Sequence, residues 1–305
     1  MGSFPLDVGM WHISTNKTWF FELILSRSNQ KDIMQKFQSF PSDIFRTFFK
    51  NRALILSLLG RQIRGRYRGS FMDSLWPVLN PLIMLGIYTF IFSVVFKARW
   101  GLGSESKIEF ALVLYLGLII FNVFSECVNV ASTVVILNAN YVKRVVFPLE
   151  ILPIVSIGTA LFYAFTSLAI WIIVYIVAFG LPPPTIIFFP VVIFPFILFT
   201  LGISWLLAAV GVYVRDIGQN VALFTAGLMF LSPVFYPIDA IPSSYQFIFM
   251  LNPLTPVIEQ TRNIFMWGLS PSWKSQVLWI FISFVVLWLG FAIFQKLRKG
   301  FADVI

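Results

Sequence analysis

The side chains that could carry chemistry in this chain are few, and where they fall matters more than how many there are. One histidine, His12, and one cysteine, Cys127, occur in 305 residues. A single cysteine excludes an intrachain disulfide framework and a cysteine-based metal cluster. His12 lies in a polar N-terminal segment, so histidine catalysis inside an apolar region is unavailable. Glu126 is the only acidic side chain well inside an apolar run. Carboxylates in that setting are costly and are functional suspects by default. The other reading is an interhelical hydrogen bond, to Asn122 or Asn129. No GxxxxGK[ST] phosphate loop occurs, so the chain cannot bind and hydrolyse ATP by that route. No catalytic residue, no metal ligand set and no cofactor are expected on this chain.

Two basic stretches remain. Arg61, Arg64, Arg66 and Arg68 crowd the segment RQIRGRYRGS, with Tyr67 among them. Such a cluster anchors a chain at anionic lipid, at about 1 kcal/mol per cation; alternatively it docks a cytoplasmic partner. The segment NANYVKRVVFPLEILP places Lys143 and Arg144 beside Tyr141, Val145, Val146 and Phe147, with Pro148 and Pro153 around Glu150. It is either a charged turn or a short amphipathic helix that inserts into a partner's groove. A third, smaller break is the dipeptide Arg215-Asp216.

The elements that position these groups follow from charge spacing. No charged residue occurs between Ile151 and Val214, and the sharp break there is Pro182-Pro183-Pro184. A bilayer core about 30 Å thick takes about 20 helical residues to cross, so this stretch holds two crossings. Composition agrees: 58% of residues are hydrophobic, 18% aromatic and 11% charged. The net charge of +9 would suggest nucleic acid in a soluble protein, but its distribution at the ends of apolar runs argues for a membrane and no nucleic acid. The expected fold is an all-α integral membrane protein with six transmembrane helices, at about 75–96, 110–137, 151–179, 187–214, 217–235 and 275–295. Residues 1–60 read as an N-terminal extension with an amphipathic interface helix, 61–300 as the six-span domain and 301–305 as a tail. The half-hydrophobic stretch Tyr236–Lys274, broken by Pro237, Pro242, Pro253 and Pro256, reads as short interfacial or re-entrant helices. No signal-peptide pattern opens the sequence, so insertion is expected to use the first span.

Orientation follows from Lys/Arg asymmetry. The arginine cluster, Lys143, Arg144, Arg215, Lys296, Arg298 and Lys299 fall on one side; Lys97, Arg99, Lys107, Arg262 and Lys274 fall on the other. The richer side is taken as cytoplasmic, with both termini inside. The 35 Phe, 10 Trp and 9 Tyr suit lipid contact and interfacial belts, and would equally suit a sugar pathway.

Four blocks in order carry a family resemblance: RQIRGRYRGSFMDSLWPVLNPL, NANYVKRVVFPLEILP, VRDIGQ and LSPVFYPIDAIPSSYQFIFMLNPLTPVIEQTRNIF. Together they resemble the membrane subunit of polysaccharide-exporting ABC transporters, and within that group the O-antigen and teichoic-acid exporter permeases. The resemblance covers roughly residues 55–300. Gln62, Met72-Asp73 and Leu149 depart from the family pattern. The resemblance implies a homodimer with two copies of a separate ATPase that holds ATP and Mg. It implies a bacterial inner-membrane location and a lipid-linked polysaccharide on undecaprenyl diphosphate as substrate. By the same resemblance Asn140, Tyr141, Lys143, Arg144, Phe147, Pro148 and Glu150 form the ATPase-coupling loop, with Arg215 and Asp216 in a second cytoplasmic loop. Arg61, Arg64, Arg66, Tyr67 and Arg68 would line the cytoplasmic entrance for the lipid head group. Pro233, Tyr236, Pro237, Asn252 and Pro253 would form a periplasmic gate. Capsule export is the nearest variant, and a drug or lipid exporter the nearest rival. A secondary transporter would need inverted repeats and coupling carboxylates, and a transferase an acid, base or metal constellation.

Overall fold

A computed structural model describes residues 40–66, 75–91, 106–142 and 147–305. The chain divides into two compact units, residues 1–42 and 43–305. The second unit begins within α1 (Phe40–Lys50) and continues through α2 (Arg52–Gly65), α3 (Trp76–Tyr88), α4 (Lys107–Leu137), α5 (Ala139–Val142), α6 (Ile151–Phe179), α7 (Phe189–Tyr213), α8 (Ile217–Phe230), α9 (Ser243–Met250), α10 (Leu254–Phe265), α11 (Trp273–Leu297) and α12 (Phe301–Val304). Among the described residues all regular structure is helical.

Local sequence explains the boundaries. Ser106 accepts a hydrogen bond from the Glu109 amide at 3.3 Å and so caps α4, with Glu109 in the first turn facing the positive helix end. The triple proline separates α6 from α7, leaving a single 3₁₀ turn, Pro184–Phe188, between them. Residues 60 and 61 lie within one unbroken helix, α2. Phe301 is fully buried, edge-on to Phe294 and against Tyr213.

Four helical stretches are long and apolar enough to cross a bilayer: Lys107–Leu137, Ile151–Phe179, Pro184–Tyr213 and Trp273–Val304. A multi-pass membrane protein follows. Two further apolar helices are shorter, Trp76–Ile91 and Ile217–Phe230. At 1.5 Å per residue the 14 residues of α8 reach only about 21 Å. The fifth predicted span, 217–235, thus ends its helix at Phe230; turns at residues 231–236 then lead into the broken region. For the first predicted span, residues 92–96 lie outside the described set.

The packing centres on α4, against which α6, α7, α8 and α10 lie. Trp171 of α6 donates its indole N–H to the Leu112 carbonyl of α4 at 2.9 Å, and its ring meets Phe265 edge-on. α7 crosses α11 closely. A Cβ built on Gly290 would lie 2.0 Å from the Gly202 carbonyl oxygen, so any side chain there would force the helices apart. Close backbone approach supplies the dispersion contact that replaces the hydrophobic effect between lipid-embedded helices.

Candidate functional site

Two polar assemblies form toward opposite ends of α4. The first joins the basic segment to the loop before α6. The apolar side of α2, Ile55 and Leu58, packs on Ile151 and Val155 at the start of α6, with Leu59 and Phe147 beside them. That contact aims the end of α2 at the loop. Arg61 donates to the Tyr141 hydroxyl at 2.7 Å, and the Tyr141 ring stacks on Phe147 with centroids 4.2 Å apart and planes 6° from parallel. On the other flank, Arg298 donates to Glu150 at 2.6 Å and to the Phe147 carbonyl at 3.1 Å. Trp205 of α7 donates its indole N–H to the Glu150 backbone carbonyl at 3.0 Å. Glu150 is buried, at 7% exposure, so its pairing with Arg298 satisfies a charge that could not otherwise be placed there.

The predicted residues of this region fall as follows. Asn140 and Tyr141 lie in the one-turn helix α5, and Phe147, Pro148 and Glu150 in the stretch that enters α6, with Asn140 exposed and Glu150 buried. Lys143, Arg144, Tyr67 and Arg68 lie outside the described residues. Arg61 and Arg64 are exposed near the end of α2; Arg61 reaches the loop. Arg215 and Asp216 are exposed in the turn between α7 and α8, and Asp216 precedes α8 without capping it by its side chain.

Glu126 makes a contact between helices, but with a partner other than the two asparagines expected. Neither Asn122 nor Asn129 holds it; Arg66 does, at 2.5 Å, with side chains 28% and 43% exposed. The Arg66 guanidinium also lies 4.4 Å from the Tyr163 ring centroid. The reason is that α2 packs on α6, so Arg66 just past its end reaches a carboxylate of α4 sixty residues on. Asn129 instead faces α8, donating to Ser125 at 3.1 Å and exchanging hydrogen bonds with Thr225 at 3.2 Å.

The second assembly is the broken segment between α8 and α11. Asn252 is its hub: its side-chain N–H groups donate to the Leu231 carbonyl at 2.9 Å and the Ser232 hydroxyl at 2.8 Å, while its oxygen accepts from the Leu254 amide at 2.9 Å. Pro253 occupies the entry to α10, and Pro237 precedes a 3₁₀ turn, Ile238–Ala240. The Tyr236 hydroxyl donates to the Phe230 carbonyl, and its ring packs edge-on to Phe249. Pro233 offers its carbonyl to Arg262 at 2.6 Å.

Arg262 is a correction to the sequence reading, which counted it among loop cations. It is 0% exposed. Besides Pro233, it donates to Val113 at 3.1 Å, Val234 at 2.8 Å and Glu259 at 3.1 Å. Gly117 makes the room: a Cβ there would lie 2.7 Å from an Arg262 nitrogen. Burial lowers the Arg262 guanidinium to about 10, opposed by Glu259, and it therefore keeps its charge at neutral pH. The same burial raises the Glu259 carboxyl above its ordinary value, against the pull of Arg262. One cation thus ties α4, the end of α8 and α10 into one unit. Arg262 lies on the buried side of α10, and its carbonyl partners are backbone groups that leave no mark in the sequence, so only the three-dimensional packing reveals the carbonyl cage.

Among the described residues no group of three or more His, Cys, Asp or Glu is placed to hold a metal. What the two assemblies hold is cations bonded to carbonyls and carboxylates near helix ends.

Comparison with known proteins bears on what these assemblies serve. Residues 53–266 match the ABC-2 type transporter family. The chain is 28% identical over 264 residues to the O-antigen export system permease protein RfbA of Myxococcus xanthus, covering 86% of this chain and 99% of that one. It is 26% identical over 254 residues to the RfbA protein of Klebsiella pneumoniae, covering 83% and 95%. It is 24% identical over 260 residues to the polysialic acid transport protein KpsM of Escherichia coli, covering 83% and 96%.

Proposed function

This chain belongs to the ABC-2 type transporter family, and on that premise we propose that it is the membrane subunit of an ATP-driven exporter of lipid-linked polysaccharide. The cargo on this reading is O-antigen on undecaprenyl diphosphate, crossing the bacterial inner membrane. Similarity to two O-antigen permeases over nearly their full length supports that cargo. The similarity to a polysialic acid transport protein favours capsular polysaccharide as the second reading.

The observation that carries the mechanical role is the doubly braced loop before α6. A push delivered to Tyr141 or Phe147 meets α2 through Arg61 and α11 through Arg298, with Trp205 of α7 holding the Glu150 backbone. Such a loop transmits force instead of absorbing it. In this reading a separate cytoplasmic ATPase, two copies with ATP and Mg, engages the loop, and phosphoryl chemistry belongs to that partner. Two copies of this chain enclose the passage, because one copy offers too few helices to wrap a hydrated polymer. Six spans result if α3 and α8 cross together with the four long helices. The residues between α8 and α11 then form re-entrant helices at the periplasmic face, and both termini are cytoplasmic. Arg61 and Arg64 suit a diphosphate head group at the entrance, as charge-assisted hydrogen bonds to phosphate require.

The test is glycan display in an export-deficient strain supplied with this chain and a phosphate-loop ATPase. Display restored by the pair, and lost in the triple variant Tyr141→Ala, Arg144→Ala, Phe147→Ala while nucleotide hydrolysis continues, is the expected result. Undiminished display in the triple variant would refute the coupling role.

A further inference from the structure

From Phe110 to Phe121 every residue of α4 is buried, as its central place requires. From Asn122 onward the helix opens along a single line. Asn122 is exposed and Ser125, Glu126, Asn129 and Thr133 are half-exposed, with Val130 beside them and Asn129 bonded to Thr225 of α8 along one edge, while Val123, Phe124, Cys127 and Val128 between them stay buried. Spacings of three and four put these side chains on one face. Five of the six are polar, in a helix apolar enough to span a membrane.

α11 shows what a lipid-facing surface looks like in the same molecule. Its exposed mid-helix positions are Val277, Leu278, Phe281, Phe284, Val285 and Leu289, and it turns Gln276 and Ser283 inward to burial. The fold therefore keeps polar groups off one outer face and gathers them on another. Acyl chains offer amides and hydroxyls no hydrogen bond, so a polar face at membrane depth is tolerated where it meets protein or water. Charge points the same way: Glu126, neutralised by Arg66 at 2.5 Å, lies within the stripe with both side chains partly exposed.

We propose that Asn122, Ser125, Glu126, Asn129 and Thr133 of α4 form a water-lined track along which a hydroxyl-rich polymer passes. Amide, hydroxyl and carboxylate side chains exchange hydrogen bonds with sugar hydroxyls as readily as with water, so the polymer meets no strong single site that would trap it. The track rests on the export reading above and names the surface of that path.

The single cysteine makes the test direct. Cys127 is buried, and Cys127→Ala supplies a cysteine-free background. Asn122→Cys, Ser125→Cys and Thr133→Cys are placed on the track, with Val277→Cys and Phe281→Cys on α11 as lipid-facing references. Membrane vesicles holding the chain and its ATPase receive a small charged methanethiosulfonate reagent from both sides. Reaction needs a thiolate in contact with water, so track positions should label at least about tenfold faster than the α11 positions. In the display assay, Asn122→Leu with Thr133→Leu should lower glycan export several-fold at equal chain level in the membrane. Labelling no faster than on α11, or export by the Leu pair at the wild-type rate, overturns the track. If the wild-type chain with its ATPase displays no glycan, the export reading falls, and the labelling ratio still decides whether the stripe meets water.

Discussion

Replacing Arg262 by methionine keeps most of the side-chain volume and removes every donor. Three backbone carbonyls, of Val113, Pro233 and Val234, then lose their partner inside a site with no exposure, and Glu259 loses its counter-charge. At about 1 kcal/mol per orphaned carbonyl, plus 1 to 2 for the uncompensated carboxylate, the loss is about 4 to 5 kcal/mol. With about 2 to 4 °C per kcal/mol for chains of a few hundred residues, the midpoint of heat inactivation in detergent should fall by about 10 °C or more. Arg262→Lys keeps the charge but lacks the planar fork that reaches three carbonyls, and should fall in between. Gly117→Ala supplies an independent check. In the native protein its methyl crowds an Arg262 nitrogen at 2.7 Å, whereas in the Arg262→Met background a flexible thioether can yield. The two costs should therefore be sub-additive by at least about 1 kcal/mol. Fluorescence-detected gel filtration after a heating series reads the wild type and all four variants. A methionine variant melting within about 2 °C of the wild type would refute the carbonyl-cage account.

Other expectations follow from the same contacts. Gly290→Leu should abolish recovery of folded chain in detergent, because the Gly202 backbone leaves no room at the α7–α11 crossing; recovery at the wild-type level would contradict that crossing. A double-mutant cycle on Arg66 and Glu126, read by thermal stability, should give a coupling of only about 0.2 to 1 kcal/mol, since both side chains are partly exposed. Glu150→Gln keeps one hydrogen bond from Arg298 but removes the charge; glycan display should fall while the chain stays in the membrane, measured by surface staining against immunoblot. The raised carboxyl of Glu259 means that its contribution to stability is present below the ordinary glutamate range and is lost as pH rises through the raised value. Glu259→Gln should therefore be no less stable than the wild type at pH 7, and the wild type should gain on it as pH falls, as melting curves across that range would show.

The sequence made the helical, membrane-embedded character plain because charge-free length is a one-dimensional property. The stretch from Ile151 to Val214 folds as α6 and α7 broken at the prolines, as its composition required. Its pairings were less legible. Arg66 and Glu126 lie sixty residues apart, and nothing in either neighbourhood announces the other. Arg262 looked like an ordinary loop cation because the carbonyls that hold it come from backbone, which carries no sequence signature. Arg298 was read as a topological anchor, yet it reaches back across the chain to Glu150. The end of α8 at Phe230 was missed because apolar residues continue past it, and hydropathy alone does not register where a helix stops.

The docking of Phe301 against Phe294 and Tyr213 has a practical corollary for handling the molecule. Arg298, three residues earlier, is the clasp on Glu150, so an affinity handle fused directly after Ile305 pulls on the same turn that steadies the loop. Deleting residues 298–305 removes the Arg298 contacts to Glu150 and the Phe147 carbonyl and leaves the loop before α6 braced from α2 and α7 alone. A fusion at the opposite end, or a spacer long enough to relieve tension, keeps that clasp shut.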